Sequence, residues 1–299
     1  MALNLSILKT RSLTAAVFVL VMLVGLLWNP WSFFVLFSVI HFGCWIEYQK
    51  IQVLIDGEYA GISLLHRYGV MIGGWCMMMY FMSGGLHVGP VSLHAIGKWG
   101  CLAFLFLLVT GEILQYRTLN MRNIGRSALG LVYISLSLAL LAWLRTVFYG
   151  SPIPFSDEVP VLMIIGSLWI NDTMAYIVGS LIGRTPLSAI SPKKTWEGTI
   201  GGILLSIGVM GLIGRLLSNA SGWSVFAPGH WMAIAAIASI TGTFGDLLES
   251  KLKRMAGIKD SGRIMPGHGG FLDRFDSLLV ATPFCALYLV GVIWMTEII

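Results

Sequence analysis

The chain has 299 residues, 57% of them hydrophobic and 11% charged, with a mean hydropathy of +0.82. Soluble domains carry about 25% charged residues, so an ordinary soluble protein is excluded. The net charge of +5 is no nucleic-acid footprint either, because the positive residues are spread over loops at one membrane face, where anionic headgroups sit.

A bilayer core of about 30 Å needs about 20 apolar residues per helix. In chain order, spans are predicted near 12–28, 31–48, 69–84, 98–115, 127–148, 160–183, 198–217, 230–249 and 277–297. The expected fold class is all-α, a polytopic membrane bundle of about nine transmembrane helices. It is read as one membrane domain over 1–299, with N-terminal helices in 1–158 and the chemistry in 159–299. The first span follows Lys9 and Arg11 but runs into Trp28-Asn29-Pro30-Trp31 without a small-residue cleavage site, and is read as a retained helix. The third is short and rich in Met and Gly.

With a cytoplasmic N-terminus, nine spans place sixteen of the nineteen Lys/Arg inside, and only Lys98, Arg145 and Arg215 near the other side. That bias predicts a multi-pass protein of the inner (cytoplasmic) membrane. Its loops around 184–198 and 257–277 then face the cytoplasm. Cys44, Cys76, Cys101 and Cys285 lie in apolar stretches without CxxC spacing. They read as small buried hydrophobes, implying neither disulfide nor zinc.

The first half carries few intramembrane charges, with Glu47 and Glu112 near helix ends as structural partners. The second half is different. An ionised side chain at mid-bilayer costs at least about 2.5–3.5 kcal/mol, so it faces protein or water and marks function. Asp172 sits within the sixth span. Asp246, Glu249 and Ser250 share a helix face near the end of the eighth, at i, i+3 and i+4. Asp273 and Asp276 repeat the i, i+3 spacing at the start of the ninth, where a helix N-terminus tolerates negative charge. Gly267, Gly269 and Gly270 just before it permit a tight turn or close approach to a ligand. Carboxylates from two helix ends offer hard oxygen ligands suited to Mg²⁺ with substrate phosphates. The alternative is a structural ion network with Lys251, Lys253, Arg254 and Arg263. Basic residues exceed acids locally, however, and the surplus calls for an anion. "SPKKTWEGT" (191–199) adds Ser191, Lys193, Lys194 and Thr195 ahead of a helix that begins near Glu197. It is not a Walker A loop, yet hydroxyls and lysines before a helix N-terminus can hold phosphates.

"SKLKRMAGIKDSGRIMPGHGGFLDRFD" (250–276) resembles the signature of the phosphatidate cytidylyltransferases, also called CDP-diacylglycerol synthases. Ser250, Lys253, Arg254, Lys259, Asp260, Gly262, Pro266, His268, Gly269, Gly270, Asp273, Arg274 and Asp276 carry the match, and Met265 is a mild departure. "NDTMAYIVGSLIGRTPLSAISPKKTWEGTIGG" (171–202) and "GDLLES" (245–250) are similar to further family segments.

The resemblance implies that CTP and phosphatidic acid are joined to give CDP-diacylglycerol and diphosphate, with Mg²⁺ and room for a second cation. It implies metal ligation by Asp246, Asp273 and Asp276, and nucleotide-phosphate binding by Ser191, Lys193, Lys194 and Thr195. Lys251, Lys253, Arg254 and Arg263 would meet the lipid phosphate or the leaving diphosphate. Lys259, Asp260 and His268 would shape the loop, and Asp172 would line the same cavity. A homodimer stays open. The rival readings are a cation-coupled transporter, disfavoured because no repeat is visible, and a cytidylyltransferase acting on another lipid phosphate.

Overall fold

The computed structural model describes residues 5–82, 85–115, 120–148, 157–221, 227–262 and 269–296. Each predicted span coincides with a helix. In chain order these are α1 (Leu5–Leu27), α2 (Pro30–Ile55), α3 (Leu64–Phe81), α4 (Leu93–Gln115), α5 (Met121–Gly130), α6 (Ser137–Thr146), α7 (Val159–Ile182), α8 (Trp196–Ser221), α9 (Pro228–Met255) and α10 (Leu272–Thr296). A π-helical segment, Leu131–Leu136, joins α5 and α6 into one rod. Among the described residues seven helices are long and apolar enough to cross a membrane: α2, α4, the α5–α6 rod, α7, α8, α9 and α10. α1 offers a shorter apolar stretch, Ala16–Leu27. The protein is a multi-pass membrane protein.

The boundaries differ from the sequence expectation where polar residues find partners inside protein. α2 starts sharply, because Asn29 Oδ1 accepts from Ser32 N–H (2.8 Å), Ser32 Oγ accepts from Asn29 N–H (3.1 Å), and Pro30 occupies the first turn. It then continues through Glu47, Gln49 and Gln52, all buried, rather than stopping at 48. Gln49 Nε2 donates to the Arg67 carbonyl at 2.9 Å. A short hairpin, His87–Val88 with Val91–Ser92, turns through Gly89 at φ +60. Two residues per strand are too few for a period-two signal.

The chain forms two compact units. The first comprises Met1–Val147 and Leu252–Phe275, the second Phe148–Lys251 and Asp276–Ile299. In the first, Phe33, Phe37, Trp45, Tyr59, Met78 and Leu138 form a buried core. Polar links run through it. His41 Nε2 lies 3.0 Å from Ser135 Oγ, which also accepts from Trp45 Nε1 (2.9 Å). His66 bridges Glu112 (2.6 Å) and Ser127 (2.7 Å), whose hydroxyl also meets Tyr59 (2.9 Å). In the second unit, α7 and α8 pack through small residues. A Cβ at Gly198 or Gly202 would collide with α7 backbone at Ala175 or Asn171.

Candidate active site

Small residues also set the approach of α9 to α10. Within the second unit, a Cβ on Gly245 would run into the backbone carbonyl of Asp276, and one on Gly242 into Leu168. Residues beside those glycines are thereby drawn together. Asp246, Glu249 and Asp276 each present a carboxylate oxygen, all within 4.8 Å of one another. Glu249 is fully buried and Asp276 only 7% exposed. Like charges this close, away from water, disfavour one another, so the group calls for a cation. One comes from the chain itself: the Lys194 ammonium pairs with Asp246. Burial pulls the Lys194 pKa below the ordinary lysine value, and Asp172 and Asp276 oppose that pull. Oxygen donors alone, three of them anionic, fit a hard divalent ion such as Mg²⁺.

The segment that delivers Lys194 is a narrow loop. Leu187 N–H donates to the Lys194 carbonyl (2.7 Å), Trp196 N–H to the Thr185 carbonyl (2.9 Å), and Pro186 bridges to Thr195. Lys194 N–H closes a turn on the Ser191 carbonyl at 3.1 Å. Thr195 Oγ1 accepts from Gly198 N–H (3.1 Å) and so caps α8. Glu197 reaches back across the loop and accepts from Arg184 N–H (3.2 Å), Thr185 N–H (3.2 Å) and Thr185 Oγ1 (2.8 Å). Lys193 is exposed at its edge, and Asp172 is an exposed residue of α7.

The signature segment around the start of α10 is organised within the first unit. Asp273 accepts from Lys253 Nζ (2.6 Å), Ser261 N–H (2.8 Å) and Gly270 N–H (2.8 Å). Gly269 precedes it at φ +83, a conformation that a side chain would strain. Glu47 of α2, 5% exposed, accepts from Phe271 N–H (3.0 Å), Leu272 N–H (2.8 Å) and Ser261 Oγ (2.6 Å). Hydrogen bonds to charged groups contribute about 1.5–3 kcal/mol each. Three of them are of the order needed to offset the several kcal/mol that burying one carboxylate costs.

Of the residues the sequence singled out, the second unit holds Asp172, Ser191, Lys193, Lys194, Thr195, Asp246, Lys251 and Asp276. The first holds Lys253, Arg254, Lys259, Asp260 and Asp273. Arg263 and His268 lie outside the described residues. Of the expected trio, Asp246 and Asp276 come together with Glu249 beside them, and the Asp273 carboxylate engages Lys253 and the loop. Arg254 donates to the Ile258 carbonyl (3.2 Å), and Lys251, Lys259 and Asp260 are exposed. Ser261 is a residue that sequence reasoning passed over, and Glu47 reads from the sequence only as a structural partner near a helix end. The available signal for Glu47 is an acid followed by Gln49, Lys50 and Gln52 near the end of a mostly apolar helix.

Comparison with known proteins decides between the chemistries this arrangement allows. Residues 9–292 match the cytidylyltransferase family. The chain belongs to that family. Its relatives include the phosphatidate cytidylyltransferase of Staphylococcus haemolyticus, 29% identical over 289 residues, covering 94% of this chain and 99% of that protein. The phosphatidate cytidylyltransferase of Bacillus subtilis is 30% identical over 282 residues, covering 92% and 93% of the two chains. Phosphatidate cytidylyltransferase 4, chloroplastic, of Arabidopsis thaliana is 48% identical over 109 residues, 36% of this chain and 27% of that one. As a member of the cytidylyltransferase family the protein is a membrane nucleotidyltransferase, and the family match spans the N-terminal helices as well as the polar second half.

Proposed function

We propose that the protein transfers the cytidylyl group of CTP to phosphatidate, releasing CDP-diacylglycerol and diphosphate at the cytoplasmic membrane face. The observation that carries this reading is the group Asp246, Glu249 and Asp276, two of them buried, with Lys194 against it. These are the elements that a site for a polyanionic substrate and its counter-ion requires. Such transfers depend on positioning and charge neutralisation more than on covalent work by the protein. A phosphate oxygen of the lipid attacks the α-phosphorus of CTP in line, and the bond to the bridging oxygen of the diphosphate breaks. The attacking oxygen is already anionic near neutral pH, so no strong general base is needed.

Asp246, Glu249 and Asp276 would hold Mg²⁺, which when bound supplies positive charge to the phosphate oxygens. Lys194 stands where its ammonium can serve either the Asp246 carboxylate or a phosphate oxygen. Lys193 and the Ser191 turn flank it on the same loop, whose shape Glu197 fixes. Lys251, Arg254 and Lys259 carry exposed positive charge suited to the lipid phosphate or the departing diphosphate. A cytoplasmic N-terminus brings these loops to the side where CTP is dissolved, while the acyl chains of phosphatidate stay in the bilayer.

The test is product formation. Purified protein given phosphatidate and CTP labelled at the α-phosphorus should yield a labelled lipid, whereas label at the γ-phosphorus should remain in water as diphosphate. Lipid labelled from the γ-position, or no labelled lipid from either, would contradict the reading.

A further inference from the structure

Glu47 lies on α2, far along the chain from the polar second half, yet its carboxylate meets the signature segment at two places. Ser261 Oγ donates to it at one (2.6 Å), and the N–H groups of Phe271 and Leu272 at the other (3.0 and 2.8 Å). The fit is close where the segment meets α2. A Cβ at Gly262 or Gly270 would collide with this carboxylate, and one at Gly43, a turn earlier on α2, would collide with the Phe271 ring. The N–H groups that Glu47 accepts from belong to the start of α10, where a helix has unsatisfied donors and favours negative charge. Ser261 Oγ sits between Glu47 Oε2 and Asp273 Oδ2, at 2.6 and 2.9 Å. The contact therefore passes to Asp273 and, through it, to Lys253 (2.6 Å). Asp276 follows one turn later on the same helix.

We propose that Glu47 is a positioning residue for the transfer reaction. It fastens the signature segment and the first turn of α10 to α2, and so fixes the backbone from which Asp273 and Asp276 project. This inference rests on the transfer activity proposed above. It gives one N-terminal helix a defined role, with α2 as the anchor of the catalytic segment.

The test uses the purified full-length chain, phosphatidate and α-labelled CTP, with Glu47→Gln as the main variant. Gln keeps the shape but turns an amide N–H₂ towards donors that need an acceptor. Hydrogen exchange in Glu47→Gln should speed up at the amides of 270–275 while α7 keeps its protection. Misplacement of reacting groups by about 1 Å can cost about 100-fold, so kcat should fall by about 10- to 100-fold. The KM for CTP should move by less than about threefold, because the loop bearing Lys194 is untouched. Ser261→Ala, which removes a single link, should show the same split more weakly, and it carries the test if Glu47→Gln does not fold. A merely structural role would lower thermal stability and leave kcat per folded molecule unchanged. Wild-type protein that makes no labelled lipid would sink the functional reading itself. Wild-type activity with kcat within about twofold in the folded variants would overturn this inference alone.

Discussion

Asp276 and Asp273 look interchangeable along the chain, three residues apart on one helix with a glycine-rich approach. Their surroundings separate them. Asp276 joins Asp246 and Glu249 in an acidic group, whereas Asp273 accepts from Lys253, Ser261 and Gly270. A change at each should therefore fail differently. Asp276→Asn should fold and lose transfer by about 100-fold or more, the scale on which electrostatic stabilisation of the reacting centre acts. Steady-state rates on detergent-purified protein check this, and near-normal turnover would remove Asp276 from the site. Lys194→Ala should raise the KM for CTP by about tenfold, with a smaller effect on the KM for phosphatidate, since one charge-assisted contact contributes about 1.5–3 kcal/mol. An unchanged KM for CTP would detach the 184–195 loop from the nucleotide. The acids themselves were legible because charge is conspicuous in an apolar chain. That Asp246 and Asp276 come together was expected, and that Glu249 stands with them was not. Grouping depends on partners such as Lys253 and Ser261 and on the glycine contacts that bring α9 to α10, and neither is a property of spacing.

At the level of elements, the helices were readable from apolar length and their ends were not. α2 outruns its expected end by seven residues, from 48 to Ile55, because Glu47, Gln49 and Gln52 are buried against protein rather than exposed to lipid. α9 likewise runs past 249 to Met255, and Gly257 at φ +69 follows it in the left-handed conformation common after a helix end. The loop ahead of α8 was legible as a basic, hydroxyl-bearing segment, but its bracing by Glu197 was not. Glu197→Ala should leave Arg184 and Thr185 N–H without their acceptor and loosen the loop. The expected result is faster proteolysis within 184–195 and a several-fold higher KM for CTP, against little change in the thermal midpoint.

A second element-level link is tested by pH. Asp56, just after α2, accepts from Arg126 Nη2 at 2.6 Å. That bond, followed by the Glu58 N–H, holds the Asp56 carboxyl below the ordinary aspartate value. A depressed carboxyl stabilises the fold above its unfolded-state pKa, and the contribution disappears as pH falls through the folded-state value. The thermal midpoint of the wild type should therefore fall more steeply than that of Asp56→Asn as the pH is lowered below about 4. Parallel curves would show that the link adds nothing to stability.

Across the whole molecule, composition alone identified a helical membrane protein, and the motifs of the second half identified its family. The sequence reads as one membrane domain with N-terminal helices in 1–158 and polar residues concentrated in 159–299. The segment Leu252–Phe275 belongs with the N-terminal helices rather than with its sequence neighbours, because the partner that binds it, Glu47, is more than two hundred residues away. Orientation is a prediction at this scale. In a cysteine-free background, a cysteine at Ser188 should react with an impermeant thiol reagent from the cytoplasmic side, and one at Val91 from the opposite side. The central claim is that Asp246, Glu249 and Asp276 hold a divalent ion for the nucleotide, and Mn²⁺ binding followed by electron paramagnetic resonance tests it most directly. The wild type should bind Mn²⁺ in a manner that Mg²⁺ displaces, and Asp246→Asn and Asp276→Asn should each weaken that binding by about tenfold or more, as expected when a ligand carboxylate is lost. Equal Mn²⁺ affinity in all three proteins would contradict the account.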